Sequence, residues 1–262
     1  MDATARFTAL VQGPEQSLRL DEGAFLIAAH AYPDLDVEAE MARLDALADS
    51  CPEPSFDGVV GHVFETLGFR GNAEDYGDPR NSYLNDVLDR RLGLPITLSV
   101  VLIELGRRLG VPFVGIGLPG HFVVRHEGVP PVLLDPFEGG RVLTPRDCAE
   151  RVAEIYGEAV AFTPRLLEPV GTRAVLARML ANLKQRFTIT GDGVSAEWAL
   201  RLRTAIPEVD RREVGELAGA QAAIGRFRAA AETLEGLAAE LPDDDAAAKA
   251  VARARQFRAR LN

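Results

Sequence analysis

The sequence predicts an α+β protein in two parts. Residues 1–168 form a core of helices around a small antiparallel sheet, and residues 169–262 form an all-α helical-repeat tail. Three observations carry this reading. Apolar residues recur at helical spacing from Asp21 to Gly110. From Val111 to Phe137 the period changes to two, or to short unbroken apolar runs. Beyond about Thr172, alanine-rich helical patterns follow one another to the end. With 262 residues, both parts are long enough to bury a core.

The first helix predicted is "DEGAFLIAAHAY", which opens on an acidic turn at Asp21. After "PDLD", the stretch "VEAEMARLDALADS" sets Val37, Met41, Leu44 and Leu47 on one stripe. "FDGVVGHVFETLGF" does the same with Val59, Val63 and Leu67 and stops at Gly68. "RGNAEDYGDPRNS" is a polar loop rich in turn formers. "YLNDVLDRRLG" reads as a short helix ending at Gly93. "PITLSVVLIELGRRLG", Pro95 to Gly110, is apolar around most of its circumference, as a central buried helix must be, and its proline suits the first helical position. "VPFVGIG", "HFVVRHE" and "PVLLDPF" are strands, and "TPRDCAERVAEIYG" is a helix capped by Thr144. Five further helices fill the tail, where "IPEVD" at Ile206 and "LPDDD" at Leu241 recur 35 residues apart, the length of a tetratricopeptide-type helix pair.

Composition excludes several functions. The chain carries 29 basic and 39 acidic residues, a net charge of −10, with no basic run longer than pairs such as Arg90–Arg91 and Arg107–Arg108, so no nucleic acid partner is expected. No apolar stretch is long enough to span a membrane, and "MDATARFTALVQGPEQ" lacks a signal-peptide pattern. Two cysteines, Cys51 and Cys148, make no disulfide framework and read as small buried hydrophobes, so a cytoplasmic protein is expected. His30, His62, His121 and Asp135 show no ligand spacing, and neither a metal nor a cofactor is expected. Asp243 to Asp245 lack the glycine and terminal glutamate of a calcium loop. "GIGLPG" matches the dinucleotide fingerprint, but "HFVVR" follows it as a strand where a helix should begin.

One pair carries chemistry. If Phe122–His126 and Pro131–Phe137 form a hairpin centred near Gly128, residue 125 faces 131, 123 faces 133, and His121 faces Asp135. Facing residues share one side of a sheet, and an aspartate so placed fixes the tautomer of an imidazole and stabilises its cation. The same pair equally fits a structural hydrogen bond closing a hairpin end. A nucleophile would belong at the head of a packed helix, where the dipole activates it. The first residue of the central helix is Pro95, which has no nucleophilic atom.

The runs "LGFRGNAEDYGDPRNSYLNDVLDRRLGLPITLSVVLIELGRRLG", "PGHFVVR" and "LLDPFEGG" resemble the SirB-type bacterial proteins, which join a transglutaminase-like core to a tetratricopeptide-like tail. The resemblance implies a transglutaminase/papain-like fold for the core. That superfamily uses Cys, His and Asp in this chain order, with the cysteine two residues after a glycine at the head of the core helix. The carry-over puts its histidine on His121, its aspartate on Asp135 and its cysteine on Pro95, so the nucleophile is missing. Ser99, four residues on and rotated by about 40°, and Thr97 are alternative hydroxyls, though each also suits a bond back to the helix backbone. Leu94 cannot cap the helix, so the Ile96 and Thr97 amides need water, a neighbour or a ligand, and Asn81 and Asn85 could line the same cleft.

The expected function is therefore that of a non-catalytic, transglutaminase-like binding or interaction module whose partner is a protein or peptide. The alternative is a hydrolase or acyl transferase using His121 and Asp135 with Ser99, Thr97 or an activated water.

Overall fold

The computed structural model describes residues 2–261. Its helices are α1 (Ala3–Gln12), α2 (Leu20–Ala28), α3 (Val37–Asp49), α4 (Phe56–Gly61), α5 (Leu84–Arg90), α6 (Pro95–Leu109), α7 (Pro145–Tyr156), α8 (Thr172–Thr190), α9 (Gly193–Thr204), α10 (Arg212–Ala223), α11 (Phe227–Glu240) and α12 (Asp244–Arg258). Two short strands, β1 (Arg70–Gly71) and β2 (Leu92–Gly93), pair in parallel. Strands β3 (Phe113–Ile116), β4 (Val123–His126), β5 (Val132–Asp135) and β6 (Arg141–Leu143) form an antiparallel meander in that order. The architecture is α+β, a helix-rich core with a small antiparallel sheet and a run of C-terminal helices.

Internal packing divides the chain into two units, Pro14–Met179 and the residues up to Gly13 together with Leu180 onward. The division falls inside α8, an unbroken helix of 19 residues, whereas the sequence places it at 168/169 in the preceding loop. The N-terminal helix α1, which the sequence reading passes over, belongs with the tail helices.

Helix α6 is the axis of the larger unit. Pro95, Ile96, Thr97, Leu98, Ser99 and Val100 are all buried, so no face of its first turns meets water. Gly110, at φ +72°, ends it in the left-handed region, which a residue without Cβ enters freely. On its outer half, Arg108 donates to Asp21 Oδ2 (2.7 Å) and to Glu104 Oε2 (2.6 Å). Asp21 also receives Arg19, and Glu104 receives Arg107. This buried cluster ties α2 to α6.

The sheet packs on α7 through Ile116, Leu118, Val123, Leu133, Leu143, Cys148 and Val152. Thr144 caps α7 as expected: its hydroxyl accepts from the Asp147 amide, and Asp147 Oδ2 accepts from the Thr144 amide. Two local expectations are corrected. Helix α5 ends at Arg90 instead of Gly93, because Arg91 takes a left-handed backbone (φ 59°) and turns the chain into β2. In the β4–β5 hairpin, Arg125 pairs with Leu133 and His126 with Val132, two residues away from the expected register. Pro130 and Pro131 have no N–H to enter the ladder, so pairing begins at Val132. An even shift keeps each side chain on its predicted face.

In the tail, each helix from α9 to α12 packs against the next. Helices α9 and α11 begin 34 residues apart, at Gly193 and Phe227. Ala218, Ala230, Ala231, Leu234 and Ala254 form the contact core of α10, α11 and α12.

Candidate functional site

The corrected register places Asp135 beyond the last β4–β5 pair, and His121 stands in the turn before β4. The pair meets diagonally across the sheet instead of face to face, still within reach of a long side chain. His121 Nε2 donates to Asp135 Oδ2 at 2.8 Å. Both residues are buried, Asp135 completely. Asp135 Oδ1 accepts from the Phe137 amide at 2.9 Å, so both carboxylate oxygens are held. With the Nε2 proton directed at the carboxylate, the neutral ring leaves its lone pair on Nδ1. Among the described residues, Nδ1 has no hydrogen-bond partner.

The backbone around His121 is also clamped. Its amide donates to Leu118 O (3.2 Å), and Gly120 sits at φ +70°. Arg178 from α8 donates through Nη2 to both Leu118 O and His121 O, each at 2.7 Å. Arg151 from α7 approaches Asp135 Oδ2 to 3.7 Å while it bonds Glu138. Arg151 and then Arg141 hold the Glu138 carboxyl below the usual range. Neither Arg151 nor Arg178 is legible as a site residue in the sequence.

Beside the pair lies a cavity of about 90 Å³, lined by His121, Leu118, Val123, Arg141, Cys148 and Arg151. Burial, reinforced by Asp147 and Asp135, pushes the Cys148 thiol up to about 11, so it is neutral at pH 7. Cys51 is half-buried, with its sulfur against the Glu53 and Gly58 carbonyls. Neither cysteine is hydrogen-bonded to His121. His30 bonds Leu26 O through Nδ1, and His62 is buried against Leu47 O and Ser50. Among the described residues, no group of three or more His, Cys, Asp or Glu is placed to hold a metal.

The head of α6 forms a second polar group. Thr97 Oγ1 donates to Asn81 O (2.7 Å) and accepts from the Leu94 amide (2.9 Å). Ser99 Oγ donates back to Pro95 O at 2.7 Å. Both hydroxyls are fully buried and committed to main-chain carbonyls. Asn81 braces the preceding loop: its Nδ2 donates to Asp75 O, and its Oδ1 accepts from Asn72. The Asn85 Oδ1 is buried without a partner among the described residues, and the Ile96 and Thr97 amides have no acceptor there. The structure therefore brings together His121 with Asp135, and Asn81 with Thr97. No hydrogen bond among the described residues joins the two groups.

The sequence pattern of the transglutaminase-like superfamily matches residues 30–181, which hold both polar groups. The chain belongs to the transglutaminase-like superfamily. It is 39% identical over 191 residues to a UPF0162 protein of Xylella fastidiosa, an alignment covering 67% of each chain. It is 34% identical over 172 residues to a UPF0162 protein of Pseudomonas aeruginosa, covering 64% of this chain and 61% of that one. A 136-residue stretch is 34% identical to mouse F-box only protein 21, covering 48% of this chain and 21% of the mouse protein. No solved structure matches. Within this transglutaminase-like chain, no helix among the described residues is long and apolar enough to cross a membrane.

Proposed function

We propose that this is a non-catalytic transglutaminase-like protein, a pseudoenzyme of the cytoplasm that works by binding a protein or peptide. One observation carries the reading. The position that the resemblance assigns to the nucleophile holds Pro95, and the two hydroxyls nearest to it in the helix, Thr97 and Ser99, are buried and bonded to backbone carbonyls. A hydroxyl held as a donor to a carbonyl, with no base on its proton, is no nucleophile.

The tail supports the same reading. Helices α9 and α11 start 34 residues apart, the length of a tetratricopeptide-type pair, and stacked pairs of this kind present extended surfaces to proteins. A groove of about 520 Å³ on the tail is lined by Lys184, Ile189, Leu200, Glu216 and Ala220.

One observation favours the alternative. His121, with Nδ1 uncommitted, borders a cavity of about 90 Å³, and a water needs only roughly 10–15 Å³ of such space. A hydrolase using an activated water would employ that arrangement. The deciding experiment incubates the full chain and His121→Ala with p-nitrophenyl acetate, following p-nitrophenol release and intact mass. The proposal expects no turnover above the uncatalysed rate that depends on His121, and no acylated chain. Turnover that disappears in His121→Ala overturns it.

A further inference from the structure

Residues 246–262 hold five cations, Lys249, Arg253, Arg255, Arg258 and Arg260, and no acidic side chain. In a chain of net charge −10, no other acid-free run holds as many. They lie on α12 and the turn after it. Two are answered locally. Lys249 bonds Asp245 one turn back, and Arg258 forks onto both oxygens of Glu235 on α11, at 2.8 and 2.7 Å. Arg253, Arg255 and Arg260 meet no carboxylate among the described residues.

Arg253 and Arg260 are fixed on aromatic faces instead. The Arg253 guanidinium carbon lies 5.6 Å from the Phe257 ring centre, and that of Arg260 lies 5.4 Å from the Phe227 ring centre. The two ring centres are 6.4 Å apart, with 34° between their planes. The four side chains thus form one row, Arg253–Phe257–Phe227–Arg260. Both rings are half-buried, Phe257 against the alanine seam, while both arginines are exposed. Helix α10 borders the row, where a Cβ on Gly219 would lie 3.6 Å from Arg253 Nη2.

The row differs from the other surface arginines. Exposed Arg19, Arg80, Arg141 and Arg146 each pair with a carboxylate. Arg70, Arg165 and Arg212 lack one too, but they are scattered along the chain, and none lies on a ring among the described residues. The α12 dipole favours cations in its last turn, which accounts for Arg255 and Arg258. Arg253 precedes that turn and Arg260 follows the helix. A guanidinium lying on a ring keeps its N–H fork free at the edge, and it has less rotational freedom left to lose on binding.

We propose that this row docks an acidic segment of a partner protein, whose carboxylates take the free N–H edges of Arg253 and Arg260 while its chain crosses the two rings. This rests on the binding reading above and gives it a partner class. Charge complementarity carries the choice, because planar forks match carboxylates. A nucleic acid would carry its phosphates past the row along a chain of net charge −10, and sites for it track the backbone with a groove of cations. A bilayer would need the apolar face of α12, but Ala250 and Ala254 are buried.

The test titrates the full chain into fluorescein-labelled octaglutamate, octaglutamine and a thymidylate dodecamer, following fluorescence anisotropy at low and at physiological salt. Saturable binding of octaglutamate is expected, weakened by salt and absent with octaglutamine. Exposed forks are individually weak, so Arg253→Gln/Arg260→Gln should lower the affinity by about fivefold or more. Arg165→Gln/Arg212→Gln removes the same charge from exposed, unpaired arginines off the row and should leave it within about twofold. Equal losses in the two variants overturn the site, since charge alone then accounts for binding, and so does unchanged affinity in a folded Arg253→Gln/Arg260→Gln. If that variant does not fold, amide shifts in the ¹⁵N-labelled native chain decide. Octaglutamate must then move Gly219, Phe227 and Phe257, and shifts confined elsewhere overturn the row. A thymidylate oligomer that binds more tightly than octaglutamate, with the same dependence on Arg253 and Arg260, overturns the protein partner in favour of nucleic acid. No binding of octaglutamate, in a chain without His121-dependent turnover, removes the row and leaves the non-catalytic reading in place. His121-dependent turnover removes that reading whatever the row binds.

Discussion

Two buried charged clusters lie in the same unit, and they differ in how completely they are satisfied. In the first, Asp21, Glu104 and Arg108 answer one another, with Arg19, Arg107 and Asp45 closing the rim. In the second, Asp135 has both oxygens held, but its partner His121 keeps one ring nitrogen without a protein acceptor or donor among the described residues. The clusters are about equally buried, so burial of charge does not separate scaffold from site. An unfilled valence beside a cavity does.

The sharpest way to break this comparison is Asp21→Ala. It leaves Arg108 short of its main counter-charge in a place nearly closed to water, and a loss of about 3 kcal/mol in urea unfolding is expected. A loss below about 1 kcal/mol would mean that the first cluster is not the scaffold described here. Acid titration sharpens the same point. The hydrogen bonds from Arg19 and Arg108 hold the Asp21 carboxyl at about 2, below its ordinary 3.8, against the burial that opposes them. A depressed carboxylate stabilises the fold above its unfolded value, so this contribution should be lost as pH falls from near 3.8 towards 2. Glu104 is displaced upward, chiefly by burial and then by the charge of Asp21, so its protonation works in the opposite sense. Unfolding midpoints measured at stepped pH should show the loss in the native chain and a flatter profile in Asp21→Asn.

His121→Ala should cost about 1–3 kcal/mol, since it strips a hydrogen bond from a fully buried carboxylate that keeps the Phe137 amide and has Arg151 nearby. Thr97→Val should cost about 1 kcal/mol, because the bonds to Asn81 and Leu94 are lost while the shape is kept. Ser99→Ala removes only a bond back into its own helix and should stay within about 0.5 kcal/mol. If Ser99→Ala instead alters ligand binding or any turnover while its urea midpoint stays put, the helix head belongs to the site after all.

The legible part of this molecule is what periodicity and end signals encode. Helix α6 was readable from its all-round apolar face and from Pro95 and Gly110 at its ends, and strands β3 to β5 from the change of period. His121 and Asp135 could be paired because they flank one hairpin. The ladder lies two residues from the register that a turn centred on Gly128 implies, because the consecutive prolines Pro130 and Pro131 delay pairing to Val132. Strands β1, β2 and β6 have two or three residues each, too few to show a period. Arg178 left no trace in sequence: it lies 57 residues from His121 and acts on main-chain carbonyls, which any residue supplies.

The alanine seam of the tail has a thermal consequence. Ala218, Ala230, Ala231 and Ala254 let helices approach with almost no side-chain rotamer entropy to lose, and each buries little hydrocarbon. Heat capacity on unfolding follows the apolar area exposed, so these helices should carry a small heat-capacity increment per residue. Their stability should bend only gently with temperature, whereas the unit Pro14–Met179, built on phenylalanine and leucine side chains such as Phe25, Phe69, Leu98 and Leu102, should curve steeply. A calorimetric scan of the whole chain would then read out two curvatures from one polypeptide.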